Sequence, residues 1–484
     1  MSAPDSRRFQ IREAPYPDDI AAVVESFAGD NDVCWLDGAP AADAFTSDPA
    51  RRWSVIGVGP AALLDQPAGR PATLTISGQT VDQDASGWRL LRRAGKHLMC
   101  PPGEWGLGPG WIGHIGFEAS RMLERLPSRL KDDSGVSLMR LARFDAVIVL
   151  DHARRAAAAI GINRDSKNVA GGPGSSVDAL AQRFRAAVEI SSRVAANQSQ
   201  AHDPPGVHAP TTRDDYRAMI QRALRYIAEG DIYQVNLSHC LRLDRLPSSF
   251  AVFRALRVAN PAPYSALLRW RDFSIASASP ELMLRVDGEA VCTRPIKGTR
   301  PCTRNHARDV AARRELMESR KDAAELAMIV DLHRNDLGRV CAPGSVTVVE
   351  PRGLEVHPRV FHTVATIRGR LASGRNALDA LEASFPAGSI SGVPKIRALE
   401  IIDELEHCAR GAYTGAIGWL GFDGRLRMNV AIRTLQICGE RATLHVGGGV
   451  VAESDPDAEY DETLAKARGI LEALGAPPPG ASDP

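Results

Sequence analysis

Residues 231–243 read DIYQVNLSHCLRL. Tyr233, Val235, Leu237, Leu241 and Leu243 share one phase of a two-residue period, and Gln234, Asn236 and Ser238 share the other. Successive side chains of an extended strand point to opposite faces, so this spacing predicts a strand with one apolar and one polar face. The apolar face needs a core. The polar face needs solvent, which is the commoner case, or the wall of a cavity.

Working outward, residues 214–230 (DDYRAMIQRALRYIAEG) carry a helical pattern, with Thr212 as its cap and Gly230 as its stop. Upstream, strand-like runs dominate: WSVIGVG (53–59), ATLTISG (72–78), WIGHIGF (111–117) and DAVIVLD (145–151). One alanine-rich helix is expected at 177–195. Two stretches break the pattern, NVAGGPGSSVD (168–178) and the proline-rich ANQSQAHDPPGVHAPTTR (196–213). The second predicts a connection between a β-rich N-terminal region, residues 1–205, and a second region, residues 206–475. The tail GAPPPGASDP is expected to be disordered over 476–484.

Bulk properties exclude several classes. The chain has 484 residues and a formal net charge of +1, which favours neither nucleic acid nor a membrane surface. No apolar span reaches the ~20 residues of a membrane helix, and MSAPDSRRFQ has no signal-peptide core. Both point to the cytoplasm. The eight cysteines form no CxxC pair, so structural zinc is not expected and the thiols are expected to be reduced. No cysteine sits in the Gly-x-Cys-x-Gly elbow of a glutaminase.

Acidic residues recur at helical spacing. Asp322 and Glu325 stand at i, i+3 in SRKDAAELAMIVDLHRNDLG, and Glu459 and Glu462 repeat that spacing in DPDAEYDETLAKARGILEAL, with Lys466 one turn on. Ser454 or Asp455 caps the second helix and Pro456 opens it. Such residues are usually solvated; a Glu462–Lys466 pair alone contributes about 0.3–0.5 kcal/mol. Paired carboxylates on two helices also suit magnesium, which takes few protein ligands and leaves positions for an anionic substrate. Glu281 opens a strand in SASPELMLRVDG, His362 lies in the period-two segment VFHTVATIRG, and Gly447, Gly448 and Gly449 precede the second acidic helix. Singly, His362 reads as a core histidine and the glycines as a turn.

The ordered set SASPELMLR, TRPIKGTRP, KDAAELAMIVDLHRNDLGRV, FPAGSISGVPKIRALEIIDELE, GAYTGAIGWLGFDG, AIRT and GGGVVAESDPDAEYDETLAKARGIL resembles the chorismate-utilising enzymes. These are anthranilate synthase component I, aminodeoxychorismate (para-aminobenzoate) synthase component I, isochorismate synthases and salicylate synthases. The match spans residues 212–474 strongly. It extends weakly upstream through VCWLDGAP, RRWSVIGVGP and GWIGHIGFEASRMLERLP. The resemblance implies an α+β fold of large antiparallel sheets, flanked by helices, in which the N-terminal region closes a β-sandwich with the rest. By motif it implies that Glu325 and Glu462 bind magnesium, with Glu459 and Asp322 supporting. Arg433, Tyr413, Lys466 and the amides of Gly447–Gly449 would hold the substrate carboxylates. Glu281 would be the general acid for the departing ring hydroxyl, and His362 would lie beside the reacting ring.

Lys297, in TRPIKGTR (293–300), selects among the branches. Anthranilate synthases resemble one another in an alanine here, whereas aminodeoxychorismate synthases have PIKGT. The resemblance therefore implies that Lys297 attacks C2 of chorismate as the C4 hydroxyl leaves. Ammonia then displaces the lysine at C4, giving 4-amino-4-deoxychorismate for 4-aminobenzoate and folate synthesis. At pH 7 only about one lysine in a few thousand is neutral, a barrier of roughly 4–5 kcal/mol unless its pKa falls. Isochorismate and salicylate synthases have a water-activating lysine near the position of Gln234; glutamine cannot be that base. Ammonia would come from a partner glutaminase. Two alternatives remain: anthranilate synthase component I, and a non-catalytic chorismate-binding relative. The family's LLES pattern is CWLDGA here (34–39), which leaves tryptophan binding open.

Overall fold

In a computed structural model, residues 9–38, 52–95, 105–132, 134–162, 176–193, 203–303, 305–357 and 360–479 are described. Parts of both expected breaks (168–175 and 196–202), Ala39, and residues 480–484 of the expected tail lie outside them. Ala476, at the start of that tail, packs against the core. The architecture is α+β: two large antiparallel sheets, each of twelve strands among the described residues, with helices on their outer faces. No described helix is long and apolar enough to cross a membrane.

Both sheets are built from each side of residue 205. In the first, Val33–Asp37 pairs with Tyr264–Arg269, Leu36 opposite Ala266. In the second, Gly110–Ile115 pairs with Ala416–Gly421, Ile112 opposite Trp419. The expected N-terminal and C-terminal regions therefore share one sandwich. The run DAVIVLD shows why it reads as uniformly apolar. Val147 and Val149 enter the sandwich interior with Ile112, Phe144, Ile417 and Trp419. Ile148 and Leu150 meet Leu180 and Phe184 of the helix Val177–Arg193 on the other face. A strand covered on both faces has no polar phase.

The strand expected at 231–243 forms at Gln234–Asp244. Val235, Leu237 and Leu241 are fully buried, but Tyr233 lies just before the strand and is 67% exposed. Its backbone N–H is held by Val393 O, and Ile232 takes the core position instead. Gln234, Asn236 and Ser238 are also buried, so the polar face meets an interior and not solvent. The helix Arg213–Ala228 carries the expected Thr212 cap, reinforced by Asp215.

Gln234–Asp244 pairs with Arg441–Val450, placing Asn236 opposite Gly449 and Ser238 opposite Gly447. On its other side, Arg441–Val450 is paired only as far as Leu444. The triple glycine thus lies on a strand with one open edge, where backbone N–H groups are free to meet an anion. In the second sheet, Ile296–Pro301 pairs with Val360–Arg370. A bulge shifts its register between Lys297 and Thr299, with Gly298 at φ +76°. Bulges re-aim side chains. A methyl group at Gly298 would stand 2.9 Å from Leu316 Cδ1 and 3.0 Å from Asp322 Cγ. Gly298→Ala combines that clash with left-handed strain and should lower stability by about 1–3 kcal/mol, read by thermal or denaturant unfolding.

Candidate active site

Lys297 is half-buried, and its amine lies beside Gly449. A Cβ built on Gly449 would be 3.0 Å from Lys297 Nζ and 2.6 Å from Gln234 Nε2. On Gly448 it would be 3.0 Å from Glu459 Oε2, and on Gly447 2.5 Å from Leu237 O. Backbone approach thus demands glycine at 447, and side chains at 448 and 449 would push into the space of the carboxylate and the amine. Burial pushes the Lys297 pKa down, opposed by the carboxylates of Glu325, Glu281 and Glu462 and assisted by Lys466. Thr363 Oγ1 donates to the Lys297 carbonyl, but the Lys297 amine has no hydrogen-bond or ion-pair partner among the described residues.

Glu281 is 3% exposed. Ser389 Oγ donates to its Oε1 at 2.5 Å, and the Ile296 N–H also reaches it. Burial pushes the Glu281 carboxyl up to about 7, although both hydrogen bonds and Lys297 pull it down. The sequence reading required a protonated acid here, and the surroundings supply the cause.

His362 is 3% exposed and is the cross-strand partner of Thr299. Its Nδ1 is 2.9 Å from Thr299 Oγ1, and Arg433 Nη2 donates to its Nε2 at 3.4 Å. A guanidinium can only donate, so the ring proton sits on Nδ1. Burial, then Arg433 and His357, hold the imidazole neutral, well below its usual range. Arg433 itself has φ +53° and no carboxylate partner among the described residues. Burial lowers its pKa to about 10, which leaves the guanidinium charged and available to an anion. Tyr413 stacks on His445 at 5.4 Å, and its buried phenol is pushed up.

The two acidic helices, Arg320–Gly338 and Pro456–Ala473, converge here. Asp455 caps the second and Pro456 opens it. Burial raises the Glu325 pKa, with Asp322 and then Glu462 adding to the rise. Burial and Glu462 raise Glu459 as well, and Ser454 Oγ donates to it at 2.6 Å. Glu462 is lowered, first by Lys466, whose Nζ is 2.8 Å away. That lysine also donates to Gly447 O at 2.8 Å, so the plain helix pair exists and is anchored to the glycine strand as well. Lys321, unremarked in the sequence, acts on Glu325, Glu459 and Glu462 together. Asp322 acts on Glu325 too, and in addition pairs with Arg300 at 3.2 Å and packs against Gly298. Among the described residues no three ligating side chains are assembled for a metal. Two or three carboxylates with hard oxygen donors fit magnesium, which completes its shell with water and ligand oxygens.

Arg410 was missed. It is 1% exposed and joins three segments. Its guanidinium donates to Asn236 O at 2.6 Å and Ile390 O at 3.0 Å, and pairs with Glu406 at 2.6 Å. It lies 4.4 Å over the Phe117 ring. Glu406 in turn accepts from Ser238 N and Oγ at 2.7 and 2.9 Å. Arg410 thus fixes the polar strand face and the turn bearing Ser389, which holds Glu281. Arg410→Leu would strand Glu406 as a buried unpaired charge; a loss of about 3–5 kcal/mol in denaturant unfolding is expected.

A family model for chorismate binding enzymes aligns with residues 41–472. Anthranilate synthase component 1 of Thermus thermophilus is 36% identical over 424 residues, covering 87% of this chain and 89% of the relative. A Haloarcula marismortui anthranilate synthase component 1 is 38% identical over 378 residues, covering 75% and 76%. The solved anthranilate synthase component I of Streptococcus pneumoniae superposes with TM-score 0.74 at 30% identity, covering 90% of this chain and 95% of that one. The menaquinone-specific isochorismate synthase of Escherichia coli shares the fold, with TM-score 0.66 at 19% identity, covering 98% and 96%. With the extent of the family match and the relatives' identity in agreement, the chain belongs to the chorismate-binding enzymes.

Proposed function

We propose that this chain aminates chorismate, using ammonia from a separate glutaminase subunit, and that Lys297 directs the nitrogen to C4. The observation that carries the reading is the unengaged Lys297 amine beside Gly449 and Gln234, within the field of Glu281, Glu325 and Glu462. In this reading Arg433 and the open-edge amides of Gly447–Gly449 orient the two substrate carboxylates. Lys297 Nζ bonds to C2 as both conjugated ring double bonds shift around the ring and the C4–O bond breaks. Glu281 gives its proton to the departing oxygen, which leaves as water. Ammonia then bonds to C4 and releases the lysine. Glu325 and Glu462, with Glu459 adjacent, are the residues that would hold magnesium. When bound, the ion neutralises and fixes one substrate carboxylate. Chelation by EDTA should cut turnover by about a hundredfold or more, with recovery on adding magnesium.

A second reading, anthranilate synthase component I, is favoured by a different observation: the matched relatives carry that name. There nitrogen enters at C2 without a lysine adduct. Chorismate, magnesium and ammonium chloride, followed by chromatography and mass spectrometry, separate the two. 4-Amino-4-deoxychorismate as the main product supports the Lys297 reading. Fluorescent anthranilate as the main product overturns it and establishes the second.

A further inference from the structure

Cys240 and Cys408 are 168 residues apart in sequence, yet their sulfurs are 3.0 Å apart. Cys240 is 1% exposed on the strand Gln234–Asp244, two residues beyond Ser238. Cys408 is half-buried in the turn between Glu406 and Arg410. The same two segments are already joined by Ser238 to Glu406 and by Arg410 to Asn236 O. The sulfurs are thus held together by a network that does not depend on them. No other thiols are in contact among the described residues.

We propose that Cys240 and Cys408 form an oxidative modification site, a dithiol that a hydroperoxide converts to a disulfide. Cys408, on the solvent side, attacks the peroxide as thiolate; the O–O bond breaks, leaving a sulfenic acid on Cys408 and one water. The Cys240 sulfur then attacks the Cys408 sulfur. An S–S bond forms and the sulfenic oxygen leaves as a second water. The two thiols supply both electrons and both protons, and one hydrogen peroxide becomes two waters. Sulfurs already in contact need little backbone movement to bond. The bridge ties the glycine-paired strand to the turn leading to Tyr413 and closes a long loop, which constrains the unfolded chain.

The test uses the full chain. Hydrogen peroxide is added, free thiols are alkylated under denaturing conditions, and peptides are mapped without reductant. A cross-linked peptide pair containing Cys240 and Cys408, split by dithiothreitol, is expected. The midpoint of thermal unfolding should rise by several degrees on oxidation and return on reduction, with no such shift in Cys408→Ser. Cys408 recovered as sulfinic acid while Cys240 is alkylated, or both recovered alkylated after peroxide, would overturn the proposal. The mapping on the unmutated chain stands even if the serine variant folds poorly.

Discussion

Lys297→Ala is expected to lose C4 amination by roughly a thousandfold or more, because a tethered nucleophile is replaced by an encounter with free ammonia. Chorismate affinity should change far less, since Arg433 and the glycine amides remain. Lys297→Arg should fail equally: guanidinium stays protonated at any working pH. The chemistry requires the Lys297 amine neutral and the Glu281 carboxyl protonated. That state holds as many protons as one with Lys297 charged and Glu281 ionised, so reaching it takes no net proton from solvent. Burial favours it on both sides, lowering the lysine and raising the glutamate to about 7. The two groups titrate as a pair, so a pH profile of kcat/KM reports the pair. Residual turnover of Lys297→Ala with ammonium, analysed by product, is informative: anthranilate in the residue would mean that free ammonia now takes C2.

Glu281→Gln should lower turnover by about 10²–10⁴-fold, the usual contribution of a positioned general acid. In the unmutated enzyme turnover should fall as pH rises and the Lys297–Glu281 pair loses the proton the departing hydroxyl needs. The stability effect has the opposite sense. A carboxyl whose pKa is raised by folding contributes stability below its unfolded value, near 4.5, and this is lost as pH rises through about 7. Glu281→Gln removes that loss, so at pH 8 the variant should be at least as stable as the parent in denaturant unfolding. A variant that is inactive yet no less stable marks a group kept for chemistry at a cost to the fold. A variant that loses stability at pH 8 would make Glu281 structural.

Local pattern carried much of this structure into the sequence. The strand at 234–244, the Thr212 and Asp455 caps and the apolar runs obey short-range rules, and they stand where those rules put them. Tyr233 did not, because period two cannot say where a strand begins. The polar face of that strand was ambiguous for a related reason: burial depends on what packs against it, here Arg441–Val450 and the Lys297 bulge. Motif resemblance pointed to Lys297, Glu281, Glu325, Glu459, Glu462, Lys466, Asp322 and the three glycines, but it could not show that Asp322 also pairs with Arg300. Arg410 and the Cys240–Cys408 contact were illegible, since each depends on register between segments far apart in sequence. The shared sandwich was legible only through the resemblance, which implies that the N-terminal region closes it: the break near residue 205 is a feature of one connection, while the sheets are set by pairings such as Leu36 with Ala266.

Whether the Lys297 amine reaches the substrate ring is tested most directly by incubating the enzyme with chorismate and magnesium, without ammonia, then quenching and mapping peptides by mass. The account predicts a modified Lys297 peptide, heavier by chorismate less one water, that disappears when ammonium is added. An unmodified Lys297 peptide from enzyme that turns over fully once ammonium is supplied would contradict it.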